Sequence, residues 1–206
     1  MESLKKIALV AIVTFTFTGL VAQSTSVIQA AFSKSYVSEQ AGSYTTAVND
    51  LKAIYSKDSY TVNIRMGWLY YLAKQYSESI KCYDIAIALK PYAIEARFGC
   101  IKPLSATENW EKVKSHYIQI LKIDPQNTVA NYWLGVIYYN RKDYANAANL
   151  FGENINLYPL DYDSIIMLAW TKLRLGKSTD ANVLFNQALV IRPNDSSALS
   201  GLKQLK

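Results

Sequence analysis

The side chains of this sequence best suited to chemistry are few: His116, the two cysteines Cys82 and Cys100, and the closely spaced carboxylates Asp161 and Asp163. Two cysteines and one histidine cannot make a usual zinc site. No Cys–His pair has a spacing that points to a nucleophile. No G-x-S-x-G, H-E-x-x-H or phosphate-cradling glycine loop occurs. His116 stands one residue before Tyr117 and is expected on a solvated helix face. Asp161 and Asp163 follow Pro159 at an expected helix start, where carboxylates favour the positive end of the dipole. The sequence therefore predicts no enzyme, no metal and no cofactor.

The 206 residues are half apolar, with only 8 Gly and 5 Pro, so the chain can bury a core and is not disordered. Its net charge of +6 is spread along the chain without a block of Lys/Arg, which argues against a nucleic-acid arm. Stacking of single strands on Tyr and Trp would need basic residues interleaved on the same face, and none are seen there. Residues 1–22 differ from the rest. Lys5 and Lys6 precede sixteen uncharged residues, "IALVAIVTFTFTGLVA", and then comes polar "QSTS". This reads as a secretory signal peptide cut after Ala22 or, left uncleaved, as an N-terminal membrane anchor. Lysines on the N-terminal flank send the downstream chain across the membrane. The expected location is thus the periplasm or outside the cell, or the inner membrane facing the periplasm. There Cys82 and Cys100 could pair, but each lies in an apolar helical stretch, and buried free thiols are at least as well supported.

The elements that would position any site follow from a period. Pro91, Pro125, Pro159 and Pro193 stand 34 residues apart, the signature of a solenoid. They define units 60–93, 94–127, 128–161 and 162–195. In each unit the eighth residue is small or apolar: Gly67, Ile101, Gly135, Ala169. After a polar turn come Ser79, Val113, Ala147 and Ala181, and four residues on Tyr83, Tyr117, Phe151 and Phe185. Residues four apart share a helix face, so each second helix carries a notch and a knob. Proline then stops that helix. A helix–turn–helix hairpin of this kind buries its apolar face only by stacking on its neighbours. A fainter copy occupies 28–59, and 196–206 reads as a capping helix. The remainder, 23–206, is expected to be one domain. Pro103 inside the first helix of unit 94–127 predicts a kink or an early end near Lys102.

The pattern resembles the tetratricopeptide repeat family over about 60–195. Unit 128–161 matches best, with Leu134, Gly135, Tyr138, Tyr144, Ala147, Phe151 and Pro159 in place. The opening Trp of the family pattern is replaced by Asn63, Arg97, Asn131 and Ile165, Asn154 replaces an Ala, and the turn glycine survives only as Gly176. The resemblance implies an all-α solenoid coiled as a right-handed superhelix, whose first helices line a concave groove. The stripe offset from the packing face reads Ile64, Trp68, Tyr71; Phe98, Lys102, Ser105; Tyr132, Val136, Tyr139; Ile166, Trp170, Leu173. Ten of these twelve are aromatic or branched aliphatic, more than solvent exposure predicts. The Lys/Asn clamp that grips a C-terminal carboxylate in some members is missing, since its Asn position holds Trp68, Lys102, Val136 and Trp170.

These readings converge on an adaptor without turnover, docking a peptide or helix of a partner protein within a cell-envelope complex. Trp68, Tyr71, Tyr132, Tyr139 and Trp170 are the expected anchors and Lys102 a polar orienter, with Ile64, Phe98, Val136 and Ile166 completing the face. The rival is a self-associating structural component. Two further alternatives leave the stripe covered by residues 24–40 or buried between neighbouring helices. Trp133 has no role in either scheme.

Overall fold

Every interval between the periodic prolines holds a pair of helices, each too short to be stable alone in water. The computed structural model describes residues 25–205, so the expected leader at 1–22 and Lys206 lie outside the described residues. The chain divides after Glu108 into two compact units. The first contains α1 (25–40), α2 (Tyr44–Lys52), α3 (Tyr60–Leu72), α4 (Tyr76–Leu89) and α5 (Ile94–Ala106). The second contains α6 (Trp110–Ile123), α7 (Thr128–Asn140), α8 (Tyr144–Leu157), α9 (Tyr162–Arg174), α10 (Ser178–Ile191) and α11 (Ser196–Gln204). No strand occurs among the described residues. Within each unit consecutive helices pack on each other, and first helices of successive hairpins also touch, α3 on α5 and α7 on α9 on α11.

The knobs seat over glycine. The buried ring of Tyr83 lies across Gly67 and Gly99, where an added Cβ would come within 3.0 Å and 2.2 Å of it. Phe151 covers Gly135 and Phe185 covers Gly201 in the same way. The notch residue Ser79 is also fully buried, and its hydroxyl donates to Gly67 O at 2.7 Å. Each ring therefore meets helix backbone directly.

The turns explain two departures from the family pattern. Lys74, Glu108 and Lys142 have positive φ, in register with Gly176. Each ends a first helix in the left-handed conformation that glycine adopts without strain. Gln75 N donates to Tyr70 O and Asp143 N to Tyr138 O, as Lys177 N does to Lys172 O. The turn survives without its glycine because the same backbone bonds close it. Three of the four residues replacing the opening Trp hold the turn between repeats. Asn63 Nδ2 donates to Ser56 O, Lys57 O and Ser59 O, Arg97 to Pro91 O, and Asn131 Nδ2 to Pro125 O.

Other expectations need correction. α5 runs past Pro103 to Ala106 and does not end at Lys102. Proline costs about 3 kcal/mol in a helix interior, but burial of Ile101 and Leu104 stabilises this turn by roughly 1.5–3 kcal/mol each. Thr107 Oγ1 also donates to Pro103 O and Leu104 O at the helix end. His116 is half-buried rather than solvated. Of the two readings left open for the cysteines, the structure has the unbridged one: Cys82 and Cys100 are both buried without a disulfide, and burial pushes the Cys82 thiol up to about 11.

The packing predicts opposite outcomes for two glycines. Gly99→Ala should lower stability by about 1–3 kcal/mol through overpacking against Tyr83. Gly152→Ala, inside α8 with nothing within 4 Å of its Cβ, should raise it by roughly 0.5–1 kcal/mol. Urea unfolding of the two variants measures both.

Candidate protein-binding face

The stripe expected from the sequence is present on the first helices, and the structure gives its members different surroundings. In the first unit, Ile64, Trp68, Tyr71 and Phe98 are half-buried and Lys102 is exposed. The rings of Trp68 and Tyr71 stand 5.7 Å apart, and Lys102 Nζ lies 5.7 Å from the Trp68 ring centre. Trp68 is also tied to α1: its indole N–H donates to Glu39 Oε1 at 2.7 Å. The other Glu39 oxygen accepts from Arg65, a nearly buried guanidinium that lies 3.8 Å over the Tyr36 ring. Ala31 and Phe32 of α1 join Trp68 against the core of α2 and α3. The N-terminal helix therefore takes up one edge of Trp68.

In the second unit, Tyr132, Val136 and Tyr139 are half-buried along α7, beside the core formed by Ala147, Phe151 and Leu168. Tyr132 meets Phe151 edge-on at 5.9 Å and Tyr139 meets Tyr144 at 5.4 Å. Ile166 is buried, only 8 % exposed. Trp170 packs edge-on to Phe185 at 5.2 Å, and its indole N–H donates to Ser197 Oγ at 2.9 Å. Both tryptophans thus use their one donor on a neighbouring first helix. Tyr71, Tyr132, Val136 and Tyr139 also keep part of their surface in solvent, and the Tyr139 hydroxyl is hydrogen-bonded to Arg174 of α9.

A second feature of this unit was not legible as a site. Thr128, Val129, Tyr132 and Trp133 of α7, the end of α8 and the turn 158–161 enclose an open hollow of about 730 Å³. Trp133 is 49 % exposed there, Tyr158 61 % and Leu160 74 %, three large apolar side chains around one turn. Asp161 and Asp163 line its mouth. Burial, followed by the charges of Asp163 and Asp161, pushes the Tyr132 hydroxyl above its ordinary pKa. The sequence held a signal. Tyr158 and Leu160 flank Pro159, where the corresponding turns have Lys90 and Tyr92, Asp124 and Gln126, or Arg192 and Asn194.

Residues 129–161 match the family model of the tetratricopeptide repeat. The fold is that of tetratricopeptide repeat proteins. A tetratricopeptide repeat protein from Parabacteroides merdae superposes with a TM-score of 0.73 at 18% identity, covering 87% of this chain and 72% of that one. The MamA protein of Desulfovibrio magneticus RS-1, residues 41 to the end, gives 0.67 at 18% identity over 82% and 98% of the two chains. YrrB, described as a tetratricopeptide repeat protein with an unusual peptide-binding site, gives 0.68 at 15% identity over 91% and 97%. A comparison with curated proteins found no match. The hydrogen-bonded tryptophans should contribute to the fold itself. Trp170→Phe is expected to cost about 1 kcal/mol through the lost indole bond, read as a lower midpoint in chemical unfolding.

Proposed function

We propose that this protein is a non-catalytic adaptor that holds a segment of a partner protein against the half-exposed aromatic face of its first helices. The carrying observation is the row Tyr132, Val136 and Tyr139 on α7. These side chains rest on a core already closed by Phe151 and Leu168, yet leave apolar surface in solvent. Aromatic residues in such rows supply most of the energy of helix or strand recognition. Tyr71 in the first unit adds a similar anchor, and Lys102 beside Trp68 orients a polar group of the segment. The peptide-binding site named for YrrB supports a binding role for the shared fold. The apolar N-terminal run behind Lys5 and Lys6 supports action in the periplasm or at the cell envelope.

Crosslinked capture from a native envelope fraction tests this reading. Tyr71→Ala combined with Tyr139→Ala should lower recovery of the partner about thirtyfold, the effect of losing roughly 2 kcal/mol at a hot spot. Unchanged recovery by a folded double variant defeats the proposal. Self-association of the wild-type chain in sedimentation, lost in that variant, would instead make the partner a second copy.

A further inference from the structure

The hollow between α7, the end of α8 and the start of α9 has a chemistry that its neighbouring stripe lacks. Its walls are the rings of Tyr132, Trp133 and Tyr158, and its charged groups are the carboxylates of Asp161 and Asp163. The Asn154 side chain, 1 % exposed, lies at its base. Asn154 Nδ2 donates to Thr128 O at 2.9 Å and contacts Ser164 Oγ at 3.2 Å. Because Thr128 O can only accept, the amide orientation is set, and Oδ1 is left as a buried acceptor without a partner.

The Asp161 carboxylate is likewise not taken up by a helix cap. Asp161 occupies the N-cap of α9, in register with Ser59, Asn127 and Asp195, whose side chains each accept a backbone N–H of their own helix. The Asp161 side chain makes no such bond. Asp163 has one cation near it among the described residues, Arg192 at 4.0 Å, and both groups are more than half exposed. That guanidinium is stacked 3.6 Å over the Tyr162 ring. The rim is therefore acidic on a chain whose net charge is +6.

We propose that this hollow receives the basic side chain, arginine or lysine, of a partner segment whose adjoining apolar residue rests on Trp133 and Leu160. Aromatic faces attract a cation placed over them. Carboxylates at the mouth complete its charge, and an arginine guanidinium matches them better than a lysine ammonium. The partner is thus a protein segment that pairs a bulky apolar residue with a cation. The inference extends the adaptor reading, since Tyr132 belongs to both the stripe and the hollow, but its test is separate.

The probe is acetyl-Leu-Arg-Leu-amide, with acetyl-Leu-Gln-Leu-amide as its uncharged counterpart, titrated into the full chain. The readout is the nuclear magnetic resonance signal of the Trp133 indole N–H, assigned by its loss in Trp133→Phe. The arginine peptide should shift that signal saturably. The midpoint should rise about fivefold or more with the glutamine peptide, and likewise in Asp161→Asn with Asp163→Asn, as expected for loss of a cation–π and carboxylate site. Neither change removes a helix cap bond. Equal midpoints for the two peptides, an unchanged midpoint in the double variant, or no shift with either peptide overturns the proposal. Tyr139→Ala lies outside the hollow. If it abolishes partner capture while peptide binding persists, the two readings stand apart; if capture is unaffected while the arginine peptide binds, only the stripe reading falls.

Discussion

Packing of an aromatic ring onto bare helix backbone is the contact on which the rest of this structure rests. A hairpin of two helices, each of about three to four turns, has one apolar side and no third element to cover it. Tyr83, Phe151 and Phe185 solve this by entering the space that glycine leaves open, at Gly67 and Gly99, Gly135, and Gly201. The ring of Tyr83 touches its own first helix and the first helix of the next hairpin. One side chain thus sets both the angle within a hairpin and the distance to its neighbour. Burying an aromatic ring there also brings a large apolar area out of water at a single point.

Much of this was legible because it is periodic. Four prolines at equal spacing, with small and aromatic residues four apart, specify helix pairs and their packing faces without any tertiary information. The departures needed the structure. Asn63 and Asn131 look like losses of a packing tryptophan, but their amides bind carbonyls of the preceding turn. Lys74 and Lys142 look like losses of a turn glycine, but the backbone accepts the left-handed conformation and keeps its closing bonds. Pro103 looked like a helix end, and burial of the residues around it outweighs the missing bond. In each case a rule based on residue type was overruled by backbone bonds or burial that the residue type does not announce.

The binding face was legible as a pattern and not as an environment. Helical spacing placed Trp68 and Trp170 in line with Tyr71, Tyr132 and Tyr139. It could not show that Glu39 and Ser197 take their indole donors, because those partners lie on other helices and follow no repeat. The hollow beside Trp133 was missed for the opposite reason. Its aromatic walls come from a first helix and from the turn around Pro159, so no single helical wheel contains them. Only a comparison of the turns with one another, Tyr158 and Leu160 against Asp124 and Gln126, exposes the anomaly.

The amide grip of Asn63 and Asn131 carries a consequence for how such a chain changes length. Each amide reaches backwards for main-chain oxygens, atoms that every residue type supplies. The joint between units therefore reads the shape of the preceding turn and is indifferent to the side chains on it. A unit copied in tandem by gene duplication would meet the same oxygens at the same distance and be accepted from the first generation. Diversification of its exposed face could then proceed without rebuilding the seam.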